Sequence, residues 1–348
     1  MKKKGARENR VKFLFSTFVW ILIVGLCIAF GFSRDSAAQT TKRFGISGPS
    51  LSPDNKTIVF QLNEVDGPFY IAFYDIATKK LRLINPTGKD CFGMRYSADG
   101  KQLVFASGEP HEMNIFMMNL DGSGLRQLTH SVNEEPESPG PAIKFENNAI
   151  PSFSPDGKKV LFIRSAVLPE RTYGGQLPSG WDVYEIDLAS RTEKRLTRCR
   201  FHMIDRPYYL PDGSGFIFSG VGGDCSPVKG GEVFVMREGE KRPQRAFGHL
   251  GGVKDASIAR NGVIAFYSLS NNFGEEKGQL AYDIFIRDKN ITKQLTSEKF
   301  AIIGSLAISF DGSAVVFSAS KDYDDGPEFW MAARDGSSLV RIGRPWRE

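Results

Sequence analysis

One short phrase of alternating apolar and polar positions recurs six times along the chain. Its clearest copies are Pro49-Ser-Leu-Ser-Pro-Asp-Asn-Lys-Thr-Ile-Val-Phe60, Met94-Arg-Tyr-Ser-Ala-Asp-Gly-Lys-Gln-Leu-Val-Phe105 and Pro151-Ser-Phe-Ser-Pro-Asp-Gly-Lys-Lys-Val-Leu-Phe162. Looser copies end at Phe218, Phe266 and Phe317. The turn Asp or Asn falls at positions 54, 99, 156, 212, 261 and 311, so the intervals are 45, 57, 56, 49 and 50 residues. A period near fifty with variable insertions means stacked units of one supersecondary motif. Each copy reads as a strand, a tight turn and a second strand closing on Phe. A third strand follows, as in Asn114-Ile-Phe-Met-Met-Asn, Trp181-Asp-Val-Tyr-Glu-Ile and Asp283-Ile-Phe-Ile-Arg. The fourth is Leu125-Arg-Gln-Leu-Thr129, Glu193-Lys-Arg-Leu-Thr197 or Thr292-Lys-Gln-Leu-Thr296. Four antiparallel strands repeated six times predict an all-β, six-bladed β-propeller, and no helical period competes outside the N-terminal segment.

That segment changes the picture. Lys2, Lys3, Lys4, Arg7, Arg10 and Lys12 precede an uncharged, mostly apolar run over 13–32. A basic flank before an apolar run sends the following chain outward across a membrane. Ser36 and Ala38 offer a cleavage site after Ala38, while twenty apolar residues are also long enough to span a bilayer. Residues 1–38 therefore read as a signal peptide or a signal anchor, and 39–348 as the exported propeller, periplasmic or secreted, or held at the inner membrane through 13–32. Cys27 follows Val-Gly-Leu rather than a small residue, which argues against lipoprotein acylation, and there is no twin-Arg pair.

The net charge of +5 belongs to this leader. Seven of the 45 Lys/Arg and two of the 40 Asp/Glu lie in the first 38 residues, leaving 38 of each beyond it. A balanced domain lacks the basic surface that displaces counterions from phosphates, so nucleic acid is not an expected partner. Walker loops, dinucleotide fingerprints and Gly-x-Ser-x-Gly elbows are absent, as are Cys-x-x-Cys and His-Glu-x-x-His ligand motifs.

The Ser-Pro-Asp-Gly-Lys turn, the Ile-Phe-like third strand and the closing Arg-Gln-Leu-Thr resemble the propeller repeats of the TolB-like family, over roughly 44–343. The resemblance implies a bare propeller, since 38–44 leaves no room for the α/β domain that precedes the propeller in TolB. Oligogalacturonate lyase is a further relative by fold, and resemblance to it would imply a metal in the channel mouth and an acidic sugar as substrate.

Strand order puts the Asp-Gly turns on one face and the blade junctions and second-to-third-strand loops on the other. The insertions Gln61–Pro68, His130–Ala149, Ser165–Gly180, Ser219–Gly231 and Ser268–Ala281 all fall on that second face, the expected side for a partner. Its candidate contact residues are the carboxylates Glu134, Glu135 and Asp224 and the rings of Tyr173, Phe273 and Tyr323. Trp181, Tyr208 and Tyr209 are placed in or beside the same loops. His111, His130, His202 and His249 fall there too and form the alternative metal set, although their phases in the repeat differ. Glu146, Asp322, Asp324 and Asp325 lack the spacing of a calcium loop. Cys199 and Cys225 share one blade and one face, so an exported protein is expected to pair them and leave Cys91 free. Such a bridge closes a loop of 26 residues, with a stabilisation of about 3–4 kcal/mol on the chain-entropy account.

The expected function is an exported, monomeric, non-enzymatic binding module that needs no cofactor and meets a protein partner through the long-loop face. It would touch the membrane only through an uncleaved N-terminal segment. The alternative is a metal-dependent enzyme resembling oligogalacturonate lyase.

Overall fold

The computed structural model describes residues 44–64, 67–109, 112–131, 133–134, 144–166, 180–225, 231–247, 253–270, 280–323 and 325–346. These residues form six antiparallel sheets, each running from an inner strand outward in chain order. The inner strands are Phe44–Leu51, Cys91–Tyr96, Lys144–Phe153, Met203–Tyr209, Lys254–Ile258 and Ile302–Ile308. The six-bladed, four-stranded propeller read from the repeat is the observed architecture. Blade 3 adds a two-residue strand, Asn133–Glu134, paired to the start of its long inner strand. Residues 44–46 begin the inner strand of blade 1. Among the described residues no helix is long and apolar enough to cross a membrane, and the apolar run over 13–32 lies outside them.

The recurring turn satisfies its own polar groups. Ser52 Oγ donates to Asp54 Oδ1 at 2.6 Å and accepts the Thr57 amide at 2.9 Å. Ser97 with Asp99, Ser154 with Asp156 and Ser309 with Asp311 repeat this arrangement. The residue after Asp takes a left-handed φ, 71° at Gly100 and 61° at Asn55, the two residue types that tolerate it. The serine hydroxyl, then the turn amide, holds the carboxyls of Asp54, Asp99 and Asp156 below the usual range.

The closing Arg-Gln-Leu-Thr is a clasp between the third and outer strands. Thr129, Thr197 and Thr296 each accept a third-strand amide on Oγ1, from Ile115, Val183 and Ile284 at 2.9–3.0 Å. Each hydroxyl then donates to the acid or amide opening that strand, Asn114, Asp182 or Asp283, at 2.6–3.1 Å. In blade 3 Arg195 Nη2 adds an ion pair to Asp182 Oδ2 at 2.5 Å. Because the threonine oxygen replaces a backbone acceptor, outer-strand pairing stops early, as in the two-residue strand Arg126–Gln127.

Between blades the core is aromatic. The second-strand phenylalanines Phe60, Phe105, Phe162, Phe218, Phe266 and Phe317 are all buried. Phe105, Phe162, Phe218 and Phe266 stack on a ring of the neighbouring third strand at 5.5–5.8 Å. In blade 1 the third-strand partner is Ala72, and Phe60 instead meets Phe329 of blade 6 edge-on at 4.8 Å, with Trp346 tilted against it at 6.1 Å. Among the described strands none is exchanged across this seam, since the first and the last belong to different sheets. Polar links complete it: the Gly48 amide donates to Ser305 Oγ at 3.1 Å, and Asn55 Nδ2 to Asp311 Oδ2 at 3.2 Å.

Two substitutions test these devices by urea unfolding. Phe60→Ala is expected to cost about 3–5 kcal/mol, as a large-to-small change in a packed core. Thr296→Val keeps the shape but strands the Ile284 amide and removes a donor from Asp283, for about 1–3 kcal/mol. Leu83→Ala, at an exposed outer-strand position, should stay within about 0.5 kcal/mol. Equal effects of all three would show that neither seam nor clasp carries stability.

Candidate functional site

All six inner strands slip register at one matching place, between Ser47 and Ser50, Phe92 and Arg95, Ala149 and Ser152, Asp205 and Tyr208, Lys254 and Ala256, and Ile303 and Ser305. A bulge bends a strand and re-aims a side chain, which suits six strands crowding one axis. The bulge residue has positive φ at Gly48, Gly93, Ile150, Arg206 and Asp255. Glycine meets this conformation without penalty, whereas other residues held there cost about 1–3 kcal/mol each and concentrate where a site imposes them. Blades 4 and 5 place a cation and an anion at it, at φ 47° and 43°.

Arg206 and Asp255 are both buried, and together they grip the backbone of one residue of blade 6. Arg206 Nη1 donates to the Leu306 carbonyl at 2.8 Å, and Asp255 Oδ2 accepts the Leu306 amide at 2.8 Å. Arg206 Nε lies 3.1 Å from Asp255 Oδ1 and 3.6 Å from Asp205 Oδ1. The first approach is an ion-pair contact off the hydrogen-bond direction, so Asp255 Oδ1 accepts no hydrogen bond. Burial pushes the Asp255 carboxyl up to about 6, against the pull of Arg206. Arg95 of blade 2, also buried, crosses the axis to donate from Nε to Tyr208 Oη at 3.0 Å. Ser152 Oγ donates to the Pro207 carbonyl at 2.5 Å, and Ser257 Oγ accepts the Ile308 amide at 3.2 Å. The axis is thus spanned by a polar network rather than left open.

Above this network, at the short-turn end, lies a cavity of about 110 Å³ with walls from every blade, including Leu51, Arg95, Phe153, Tyr208, Ser257 and Phe310. Arg260 reaches over it from the blade 5 turn toward the Ala98 carbonyl on blade 2 at 3.4 Å, with its guanidinium 5.6 Å from the Phe310 ring centre. Arg95, Arg206, Asp255 and Arg260 were not among the residues singled out in the sequence. The available signal was charge inside an inner-strand phrase: Arg95 after Met94, the pair Asp205-Arg206 and the pair Lys254-Asp255.

On the opposite face, His111, Glu135, Tyr173, His249 and Phe273 lie outside the described residues. Glu134 sits in the short added strand of blade 3. Asp224 is bound by Arg200, whose Nε and Nη2 lie 2.8 and 2.6 Å from Oδ2. Tyr323 donates to the Leu280 carbonyl at 3.0 Å, tying a blade 6 loop to blade 5. Cys199 and Cys225 are joined, with Cα atoms 5.1 Å apart, and Cys91 is free and buried. Two aromatics sit elsewhere than expected. Tyr208 and Tyr209 end the blade 4 inner strand at the short-turn side, where they line the cavity. Trp181 opens a third strand and is buried.

The four histidines do not form a metal set among the described residues. His130 Nδ1 lies 3.2 Å from Gln127 Nε2, and His202 is exposed in the next junction. No three His, Cys, Asp or Glu side chains among the described residues meet at one point, so the donors there do not fit a metal.

The raised Asp255 carboxyl and the lowered turn carboxyls give opposite pH slopes. Asp255 binds its proton more tightly folded than unfolded, so its contribution is full below about pH 4 and is lost as pH rises through about 6. Asp311, with burial opposing but the Ser309 and Ser313 hydrogen bonds prevailing, falls to about 2, and its contribution is lost as pH falls below about 4. Urea midpoints of Asp255→Asn should lack the decline between pH 4 and 6 that the parent shows. An unchanged slope would remove Asp255 as its source.

No family model matches the chain. Solved structures do match its shape. TolB from Acinetobacter baumannii aligns with a TM-score of 0.53 at 19% identity, over 84% of this chain and 62% of that one. The chain thus spans less than two thirds of that protein's length. An oligogalacturonate lyase in complex with manganese aligns with a TM-score of 0.54 at 16% identity, over 85% of this chain and 76% of the other. The β-propeller domain of the Trilobed protease from Pyrococcus furiosus, described as having an open velcro topology, aligns with a TM-score of 0.51 at 13% identity, over 88% and 97%. At these identities the common property is the fold. The chain has the fold of a TolB-like six-bladed β-propeller.

Proposed function

We propose that the chain is an exported, non-enzymatic propeller whose long-loop face docks a protein partner at the cell envelope. The observation that carries this reading is an apolar rim on that face at blades 5 and 6. Leu269 and Leu280 are 42% and 49% exposed at the two ends of the loop bearing Phe273, and Tyr323 reaches across to the Leu280 carbonyl. The loop base is closed by the Ser270 amide on the Ala281 carbonyl at 2.9 Å, so these side chains stand on ordered backbone. Exposed apolar groups framed by polar ones suit a protein surface better than a solute. Export is supported by the basic and apolar leader over 1–38 and by the Cys199–Cys225 bridge, which an oxidising compartment maintains.

The lyase-like reading has likeness of fold behind it and needs a metal that the described donors do not supply. One preparation tests both. A photo-crosslinking residue placed at Leu269, Leu280 or Asp224 in the exported protein should give a discrete heavier adduct in cells, while Lys158 and Ser214 on the other face give none. Adducts from both faces alike, or from neither, would overturn the docking reading. About one equivalent of transition metal on the untagged protein, lost in His130→Ala or His202→Ala, would instead favour the enzyme.

A further inference from the structure

The cavity at the short-turn mouth carries hydrogen-bond donors that the fold does not use. Arg95 is 6% exposed, and its Nε and Nη1 serve Tyr208 Oη and the Met94 carbonyl. Among the described residues its Nη2, which is not occluded, makes no hydrogen bond, and no carboxylate lies within ion-pair distance of this guanidinium. Tyr208 Oη already accepts from Arg95, which leaves its own proton to donate, and no acceptor among the described residues takes it. Ser257, accepting the Ile308 amide, likewise keeps a proton to give. All three side chains line the same cavity.

Arg95 senses the Asp255 charge at longer range, but that carboxylate is already engaged by Arg206 and the Leu306 amide. A buried cation with no directly paired carboxylate is costly, and a bound anion offsets that cost. The turn carboxylates on this face do not do so. Asp54, Asp99, Asp156, Asp212 and Asp311 are each turned onto hydroxyls and amides of their own turns. Arg260 adds a second guanidinium at the rim, also without a carboxylate partner among the described residues. The remaining walls are apolar, with Leu51, Phe153, Ile258, Ile308 and Phe310 around the donors. The size is that of a small ligand, since an apolar cavity of roughly 150 Å³ accommodates benzene.

We infer that this mouth binds a small carboxylate with a short branched apolar tail, the carboxylate facing Arg95, Tyr208 and Ser257 and the tail lying against the apolar wall. The same chemistry is offered by a free acid or by the C-terminal residue of a peptide entering from the short-turn side. The site lies on the face opposite the proposed docking surface and does not depend on it.

Saturation-transfer NMR on the full chain, with isovalerate against isovaleramide, reads the site directly. The acid is expected to bind at least about tenfold more tightly than the amide, as charge-assisted donors require. Tyr208→Phe, which keeps the ring and removes the proton, should weaken the acid several-fold and leave the amide unchanged. Arg260→Ala, at an exposed position that no core contact depends on, should weaken it less and flatten its salt dependence. Arg95→Lys should lose about tenfold. A tripeptide ending in valine, free or amidated at its C-terminus, separates the sources: tighter binding of the free peptide than of isovalerate assigns a chain terminus, and binding of isovalerate alone assigns a solute. Equal binding of acid and amide, no binding of any probe, or indifference to Tyr208→Phe and Arg260→Ala together would overturn the site.

Discussion

A four-stranded twisted sheet buries neither face by itself, so each blade of this protein is stable only between two others. The constraint closes the ring and decides which residues matter. Every second strand spends its Phe on an interblade surface. At the one junction where the third strand offers Ala72 instead of a ring, Phe329 and Trp346 supply the missing aromatic surface from the other end of the chain. Closure by side chains rather than by a shared strand makes that seam depend on packing, and Gly48 and Asn55 add hydrogen bonds where water would otherwise compete.

Closing six sheets on one axis crowds their inner strands, and the six bulges answer that crowding. Where the bulge is Gly the strand bends with no side chain in the way. In blades 4 and 5 the same position presents Arg206 and Asp255, and the pair holds the amide and the carbonyl of Leu306 in blade 6. Two buried charges are expensive, and replacing such a pair with apolar residues is often neutral or better for stability. Arg206 and Asp255 hold the blade 6 strand against that cost, and Arg95 adds a third buried charge with no directly paired carboxylate among the described residues.

The architecture was legible in the sequence because its punctuation is local. Ser, Asp and Gly within five residues satisfy one another whatever the rest of the chain does, and the closing Thr meets an acid only about fifteen residues away. The outer strands were read too long for the same reason: apolar Leu beside Thr suggests continued pairing, but the Thr hydroxyl takes the amide that pairing would use. The axial site was hidden because its contacts are remote. Arg95 meets Tyr208 across 113 residues and Arg206 meets Leu306 across 100, and nothing in either phrase announces a partner. Tyr208 and Tyr209 were misplaced because a position near a long loop in sequence is not a position on that loop once the strand runs back to the axis.

The clasp also explains how a face of long loops stands on a rigid base. Asp182 Oδ1 holds the Thr197 hydroxyl and also accepts the Cys199 amide at 2.9 Å, so the clasp continues past the outer strand into the junction. Cys199 then passes the restraint to Cys225, in a different loop of that face, and the Asp224 amide returns to the Cys199 carbonyl at 2.6 Å. Arg200 closes the circuit on the Asp224 carboxylate. Blade 5 repeats the first step, with Asp283 Oδ1 accepting the Glu298 amide. A buried carboxylate therefore fixes the root of each such loop while its tip is free to differ, which is the division of labour a binding platform needs: the blade sets where a loop leaves, and the loop alone sets what it meets.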